Sequence, residues 1–226
     1  MLGTGMKRKK RREDRDTRRH LLEIAGQVFA EKGFAGTTGK EICRRAKANV
    51  AAINYHFRSL DGLYTAVLRE ATRRLPSVQA LRAALTRESQ PEAKLTAIID
   101  LAVRAITGPV SSSWVVGVVG REALNPSPAY VALKKREWRP KMLLLRGVVA
   151  EIMQLPPGHP AVERSCVSAL APCSLLLLVD RPLLRRAFPR FGFSPKDAGA
   201  ITQHLVRFSL GGMAAIAAET KERGGS

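Results

Sequence analysis

The stretch Thr38-Gly39-Lys40-Glu41-Ile42-Cys43-Arg44-Arg45-Ala46-Lys47-Ala48-Asn49-Val50-Ala51-Ala52-Ile53-Asn54-Tyr55-His56-Phe57 decides how this chain folds. Thr38 and Glu41 have the spacing of a capping box, in which the Thr38 hydroxyl accepts from a backbone amide and Glu41 reaches back. The short helix that starts there has Ile42, Cys43 and Ala46 as its inward positions. Lys47-Ala48-Asn49 breaks it, and Asn49 is a good N-cap for a second short helix, Val50 to Phe57. Ile53 and Phe57 give that helix an apolar inner face. Val50, Ala51, Asn54 and Tyr55 lie outward or flank it, and His56 sits near the rim. Two short helices across a three-residue turn spell a helix-turn-helix, whose second helix enters the major groove of duplex DNA while the first crosses the backbone.

The flanks agree with this reading. Leu21, Ala25, Val28 and Phe29 recur at three- and four-residue spacing, which makes a long amphipathic helix from about Asp16. Gly33 supplies its left-handed C-cap, with Phe34 tucked in after it. Ser59 caps a further helix that runs towards Pro76. Beyond it, helices are expected at about 77–88, 91–107, 112–124, 127–154, 160–180 and 195–220, with prolines at their starts or breaks. Pro140 and Pro172 fall inside helical patterns and should kink or divide them. No period-2 run, Asn-Gly hairpin or repeat is present, so the chain reads as all-α. It divides into a basic flexible tail (1–15), a helix-turn-helix domain (16–75) and a larger helical domain (76–226).

Composition narrows the function. The 226 residues are 45% hydrophobic and 25% charged, ordinary for a globular chain. Their 38 Lys and Arg against 19 Asp and Glu leave a charge of +19, which favours an anionic partner such as nucleic acid or a membrane surface. The longest apolar stretch, around Ala169–Val179, is about half the roughly 20 residues that a membrane span needs. The basic run Lys7–Arg12 is not followed by the apolar core of a signal peptide. Cys43, Cys166 and Cys173 are too few and scattered for a disulfide framework, so a reduced, cytoplasmic protein is expected. His159 and His204 form no zinc pattern with these cysteines, and there is no phosphate loop or nucleophile elbow. No cofactor, metal or enzymatic activity is expected.

The ordered set Leu21-Leu22…Ala25…Val28-Phe29…Gly33-Phe34…Thr37-Thr38…Glu41-Ile42…Ala46…Ile53…His56-Phe57…Leu63 resembles the TetR/AcrR family of transcriptional regulators. The resemblance covers about Arg18–Leu68. It implies that Thr38 and Lys40 approach DNA from the first short helix, that Val50, Ala51 and Ala52 face bases, and that Asn54, Tyr55 and His56 contact phosphate or nearby bases. Three positions depart from the family pattern: Lys47 stands where Gly usually opens the turn, Asn54 where an aromatic residue is common, and Leu60 where a phosphate-binding Lys is common. The segment Trp114…Arg121-Glu122-Ala123-Leu124-Asn125-Pro126-Ser127-Pro128, with the long helix through Trp138, looks similar to the CecR-like subgroup. That likeness implies an effector cavity lined by Trp114, Val118, Glu122, Trp138, Met142 and Leu145, with Arg121 or Glu122 orienting a polar ligand group. The family resemblance also implies a homodimer on a palindromic operator, joined through Pro160–Val179 and Lys196–Ala218. It further implies repression relieved by an unidentified small molecule.

Plainer readings stand beside these. His56 reads equally as a core-rim histidine, Tyr55 as a packing residue, and Lys7–Arg12 as a solvated tail. Trp and Met at helical spacing suit an ordinary core, and the apolar C-terminal faces suit an intramolecular one. Arg121 and Glu122 could simply pair with each other or a neighbour. Cys166 and Cys173 read as small core residues, with redox sensing across a dimer as the alternative. The rival function is a sequence-independent binder of nucleic acid that draws on charge alone. The two differ in base preference, because Val50, Ala51 and Ala52 offer no hydrogen bonds but pack on thymine methyls. Selection from random duplexes should therefore enrich thymine at the contacted positions, and no thymine preference in either half-site would refute that assignment.

Overall fold

The computed structural model describes residues 3–108, 113–179 and 181–224, with side chains 3–11, 136, 177, 178, 181, 223 and 224 outside the description. In chain order the helices are α1 (Gly3–Lys32), α2 (Gly39–Ala46), α3 (Ala51–Phe57), α4 (Leu60–Arg74), α5 (Val78–Leu85), α6 (Pro91–Thr107), α7 (Trp114–Leu124), α8 (Pro128–Met153), α9 (Pro160–Leu178), α10 (Arg181–Ala187) and α11 (Ala198–Gly224). No strand occurs among the described residues, in agreement with the all-α expectation.

Two units form, the first from residues 1–74 with 113–131, the second from 75–112 with 132–226. The expected boundary near residue 76 therefore accounts for one of three chain crossings. Local patterning could not reveal the other two, because α7 joins the first unit through contacts remote in sequence.

In the first unit, α1 buries Leu21, Ala25, Val28 and Phe29, the face that helical spacing selects. It ends at Gly33, whose φ is 72° and whose backbone N–H donates a hydrogen bond to the Phe29 carbonyl at 2.9 Å. The segment 1–15, expected to be a flexible tail, is helical from Gly3. After Gly5 neither Gly nor Pro recurs before Gly26, and Lys, Arg and Glu are good helix formers. The side chains of Lys7–Arg11, most of the basic run, lie outside the described residues. The capping box at α2 forms only in half. Thr38 Oγ1 accepts from the Glu41 amide at 3.3 Å, but the Glu41 carboxylate turns to Lys32 Nζ (2.6 Å) and Arg45 (3.1 Å). Charge-assisted bonds outcompete a neutral amide donor.

Helix α7 packs on α1 and α4. The α1–α7 approach is set by glycine: a Cβ on Gly26 would lie 2.3 Å from the Trp114 ring, and one on Gly117 2.8 Å from Ala30 Cβ. Trp114 is 6% exposed, and the Arg74 guanidinium lies 5.0 Å from its ring centroid. Phe29 meets Tyr64 edge-on at 4.7 Å, and Phe34 lies 4.8 Å from the same ring.

The second unit is built on α6, which packs against α5, α9 and α11. Leu95, Ile99, Val103, Leu145, Val149, Met153 and Val162 are fully or almost fully buried in its core. Pro140 and Pro172 do not divide α8 and α9, which run through them. Helix α10 went unforeseen, since its few residues fall short of a readable period. No described helix is long and apolar enough to cross a membrane.

Gly26→Ala should destabilise the protein by about 1–3 kcal/mol in urea unfolding, because the added methyl overlaps a rigid indole. At an open helical position the same change would stabilise by about 1 kcal/mol, so the sign of the shift tests the contact.

Candidate functional site

The helix-turn-helix is fastened to α1 by polar as well as apolar contacts. Arg45 donates to Glu31 at 2.7 Å, Lys32 holds Glu41, and His20 Nε2 lies 3.2 Å from the Ala46 carbonyl oxygen. Lys47 takes the left-handed conformation, φ 50° and ψ 40°, that glycine would adopt more cheaply, so the turn keeps its geometry despite the substitution. Asn49 Oδ1 accepts from the Ala51 amide at 2.9 Å in a turn that leads into α3, whose N-cap position is Val50 rather than Asn49. Ile53 and Phe57 are buried at 3% and 6%, and the Arg18 guanidinium stands 5.0 Å from the Phe57 ring centroid.

With that face held, the opposite one is open. Thr38, Lys40, Val50, Ala51, Asn54 and Tyr55 are exposed and Ala52 is half-buried; Tyr55 is 74% exposed, which disfavours a packing role. His56 sits differently. The residue as a whole is half-buried, but its side chain is only 7% exposed, with Nε2 3.8 Å from Asp14 Oδ1. Its ring is therefore placed first as a support between α3 and α1. Arg44, Lys47 and Arg58 are also exposed around these helices. Of these, Arg44 was passed over in the sequence, where only its charge and outward position could have marked it.

The six residues expected to line one effector cavity separate into two groups. Trp138, Met142 and Leu145 line a cavity of about 300 Å³ walled by α5, α6, α8 and α9. Trp114, Val118 and Glu122 lie in the first unit, where α7 packs on α1 and α4, and do not join them. Trp114 and Val118 are buried there at 6% and 1%. The sequence missed Leu101, Ala102, Lys141 and Leu170 on the cavity wall, since α6 and α9 read simply as apolar helices.

The residues that prompted a polar ligand role have other partners. Arg121 donates to the Ala30 carbonyl at 2.9 Å and the Glu31 carbonyl at 2.6 Å, capping the C-terminus of α1. Glu122 is 2% exposed; its Oε1 accepts from the Tyr64 hydroxyl and its Oε2 from the Ser127 amide at 2.7 Å. Such a non-local cap leaves no local sequence signature. Cys166 and Cys173 are free thiols, each pushed up to about 11 by burial, which keeps them protonated near neutral pH. That disfavours redox sensing. No group of three metal-ligating side chains occurs among the described residues.

A helix-turn-helix with an open outer face, in a chain whose second helical unit holds an apolar cavity, defines a DNA-binding regulator. Residues 21–67 match the model for bacterial regulatory proteins of the tetR family. Residues 91–213 match that for the C-terminal domain of the HTH-type transcriptional dual regulator CecR. The chain belongs to the TetR family, with a CecR-type C-terminal domain, and is a DNA-binding transcriptional regulator. It is 26% identical over 200 residues to the HTH-type transcriptional regulator BetI of Cronobacter sakazakii, covering 87% of this chain and 92% of that one. A BetI of Paraburkholderia phymatum is 29% identical over 103 residues, 44% of this chain and only 52% of that protein. Among solved structures, the ketosteroid transcriptional regulator KstR2 of Mycobacterium tuberculosis matches with a TM-score of 0.62 at 20% identity, over 86% of this chain and 93% of that one. The hemolysin II transcriptional regulator HlyIIR matches with a TM-score of 0.58 at 18% identity, over 86% and 97%. These last two likenesses bear on the fold alone.

Burial, then the Glu122 carboxylate, raises the pKa of Tyr64 well above the ordinary tyrosine range. A tyrosine raised on folding contributes stability that is intact below about pH 10 and lost as pH climbs towards the folded value. Urea midpoints should therefore fall above about pH 10 in the wild type and flatten in Tyr64→Phe. That variant should also lose about 1–3 kcal/mol at pH 7, because Glu122 Oε1 is left without its donor.

Proposed function

We propose that this regulator binds a palindromic operator as a homodimer and represses transcription until a small molecule occupies the cavity of the second unit. The observation that carries the DNA-binding part is the contrast across α3: Ile53 and Phe57 are buried while Val50 and Tyr55 are 51% and 74% exposed. Val50, Ala51 and Ala52 read bases by apolar contact; Thr38, Lys40, Asn54 and Tyr55 add polar contacts, with His56 at the rim. Arg44, Lys47 and Arg58 supply phosphate contacts that Leu60 cannot make. As a regulator of this class the protein works in the cytoplasm and catalyses no reaction.

The dimer reading is supported by α9 and α11. Val167 and Leu175 on α9, with Phe208 and Ile216 on α11, are 69%, 63%, 75% and 40% exposed. Exposed apolar side chains gathered on packed helices mark an interaction surface. A Cβ on Gly211 or Gly212 would meet nothing within 4 Å, which leaves room for a second chain's helix to come close.

Release follows from linkage. A ligand that favours the conformation with misplaced recognition helices must lower operator affinity, typically about 5- to 150-fold. Selection from random duplexes at about 150 mM salt, where non-specific binding is weak, should return a palindrome with half-sites about one helical turn apart. Phe208→Arg should sediment as a monomer and lose most affinity for that palindrome. Flat enrichment across sequences would transfer the case to a sequence-independent binder.

A further inference from the structure

The cavity among α5, α6, α8 and α9 is walled mostly by carbon, with Leu101, Ala102, Ile106, Met142, Leu145 and Leu170 among its lining side chains. At about 300 Å³ it lies at the small end of the range for ligand pockets. Lys141 is the one charged side chain among its described lining residues. Its ammonium lies 3.4 Å from Glu137 Oε2, an i,i+4 contact, and its side chain is 23% exposed against 39% for Glu137. An ammonium has three donors, so this single contact leaves capacity for a second acceptor.

The remaining polar groups on the wall are already occupied or neutral. The Ser174 hydroxyl donates to the Leu170 carbonyl at 3.3 Å, and burial keeps the Cys173 thiol protonated, pushed up to about 11. No carboxylate occurs among the described residues that line the cavity. Trp138 is 53% exposed, and the Lys134 ammonium stands 5.6 Å from its ring centroid, so positive charge lies near this wall as well. A cationic head would be repelled by Lys141 and would have to take the more exposed Glu137 away from it. A neutral polar ligand would leave the ammonium to Glu137. An anion could enter an apolar cavity only if its charge were paired there, and Lys141 is the group placed to pair it.

We propose that the effector is a compact apolar anion, a carboxylate or similar head on an aliphatic or aromatic body, with its head on Lys141. This rests on the cavity being the effector site, as proposed above. Titration calorimetry of the full chain with octanoate and 4-isopropylbenzoate, their primary amides, and octylamine tests it. The carboxylates should bind at least about tenfold more tightly than the amides or the amine, the usual scale for a charge-assisted bond. Lys141→Met should reduce that preference to about threefold or less, while Lys141→Arg should keep it.

Amides or amine that bind as tightly as the carboxylates would overturn the proposal. So would a preference that survives Lys141→Met, or failure of every probe to bind at about 5 mM, a concentration that detects even weak ligands. Operator release is measured separately. Carboxylates that bind through Lys141 yet leave operator affinity unchanged would sink the release mechanism but uphold the ligand class. Amides or amine that release DNA equally well would do the reverse.

Discussion

The contact on which the first unit depends is the close approach of α7 to α1. It is possible because Gly26 and Gly117 each leave out the carbon that would collide with Trp114 and Ala30. A side chain at either position would hold the helices apart and weaken dispersion contacts along the seam, which decay steeply with distance. Arg121 then finishes the seam by capping α1, and Glu122 ties α7 to α4 through Tyr64. Since α2 is itself fastened to α1 by Arg45 and Lys32, the platform that presents α3 is held from both sides.

That platform is covalently continuous with the cavity-bearing unit at three points, after residues 74, 112 and 131. Helix α7 lies between two of them, so it belongs to the DNA-binding unit by packing and to the effector region by sequence. Helices α6 and α8 are the neighbours of α7 along the chain. For the release proposed above, reciprocity requires that operator binding lower the affinity for the ligand by the same factor.

How much of this was legible depended on how local each cause was. The helix-turn-helix could be read almost entirely, because Thr38, Asn49 and Ser59 act within three residues of themselves. The core faces of α1 and α3 followed from spacing alone. Lys47 was visible as a departure, and the structure shows that the backbone adopts the left-handed conformation regardless. What could not be read was non-local. Trp114, Val118 and Glu122 follow a helical pattern that suits a cavity as well as a core, and only contacts far along the chain place them on α1 and α4. The motif Arg121-Glu122 has the polarity of a ligand site, yet spends it on backbone carbonyls, a tyrosine and a loop amide. Lys141 was overlooked because a single lysine in a charged helix carries no signal until its neighbours in space are known.

The three crossings also constrain how such a regulator can be divided or recombined. A fragment ending near residue 75 would carry the whole helix-turn-helix but leave the Gly26 groove empty, with buried carbon of α1 and α4 turned to water. The compact unit that holds the helix-turn-helix is thus discontinuous: residues 1–74 together with 113–131. Exchanging effector units between regulators of this architecture means transplanting two separate segments and leaving α7 with its original α1. A chimera cut at the apparent linker would instead pair one regulator's glycine groove with another's α7.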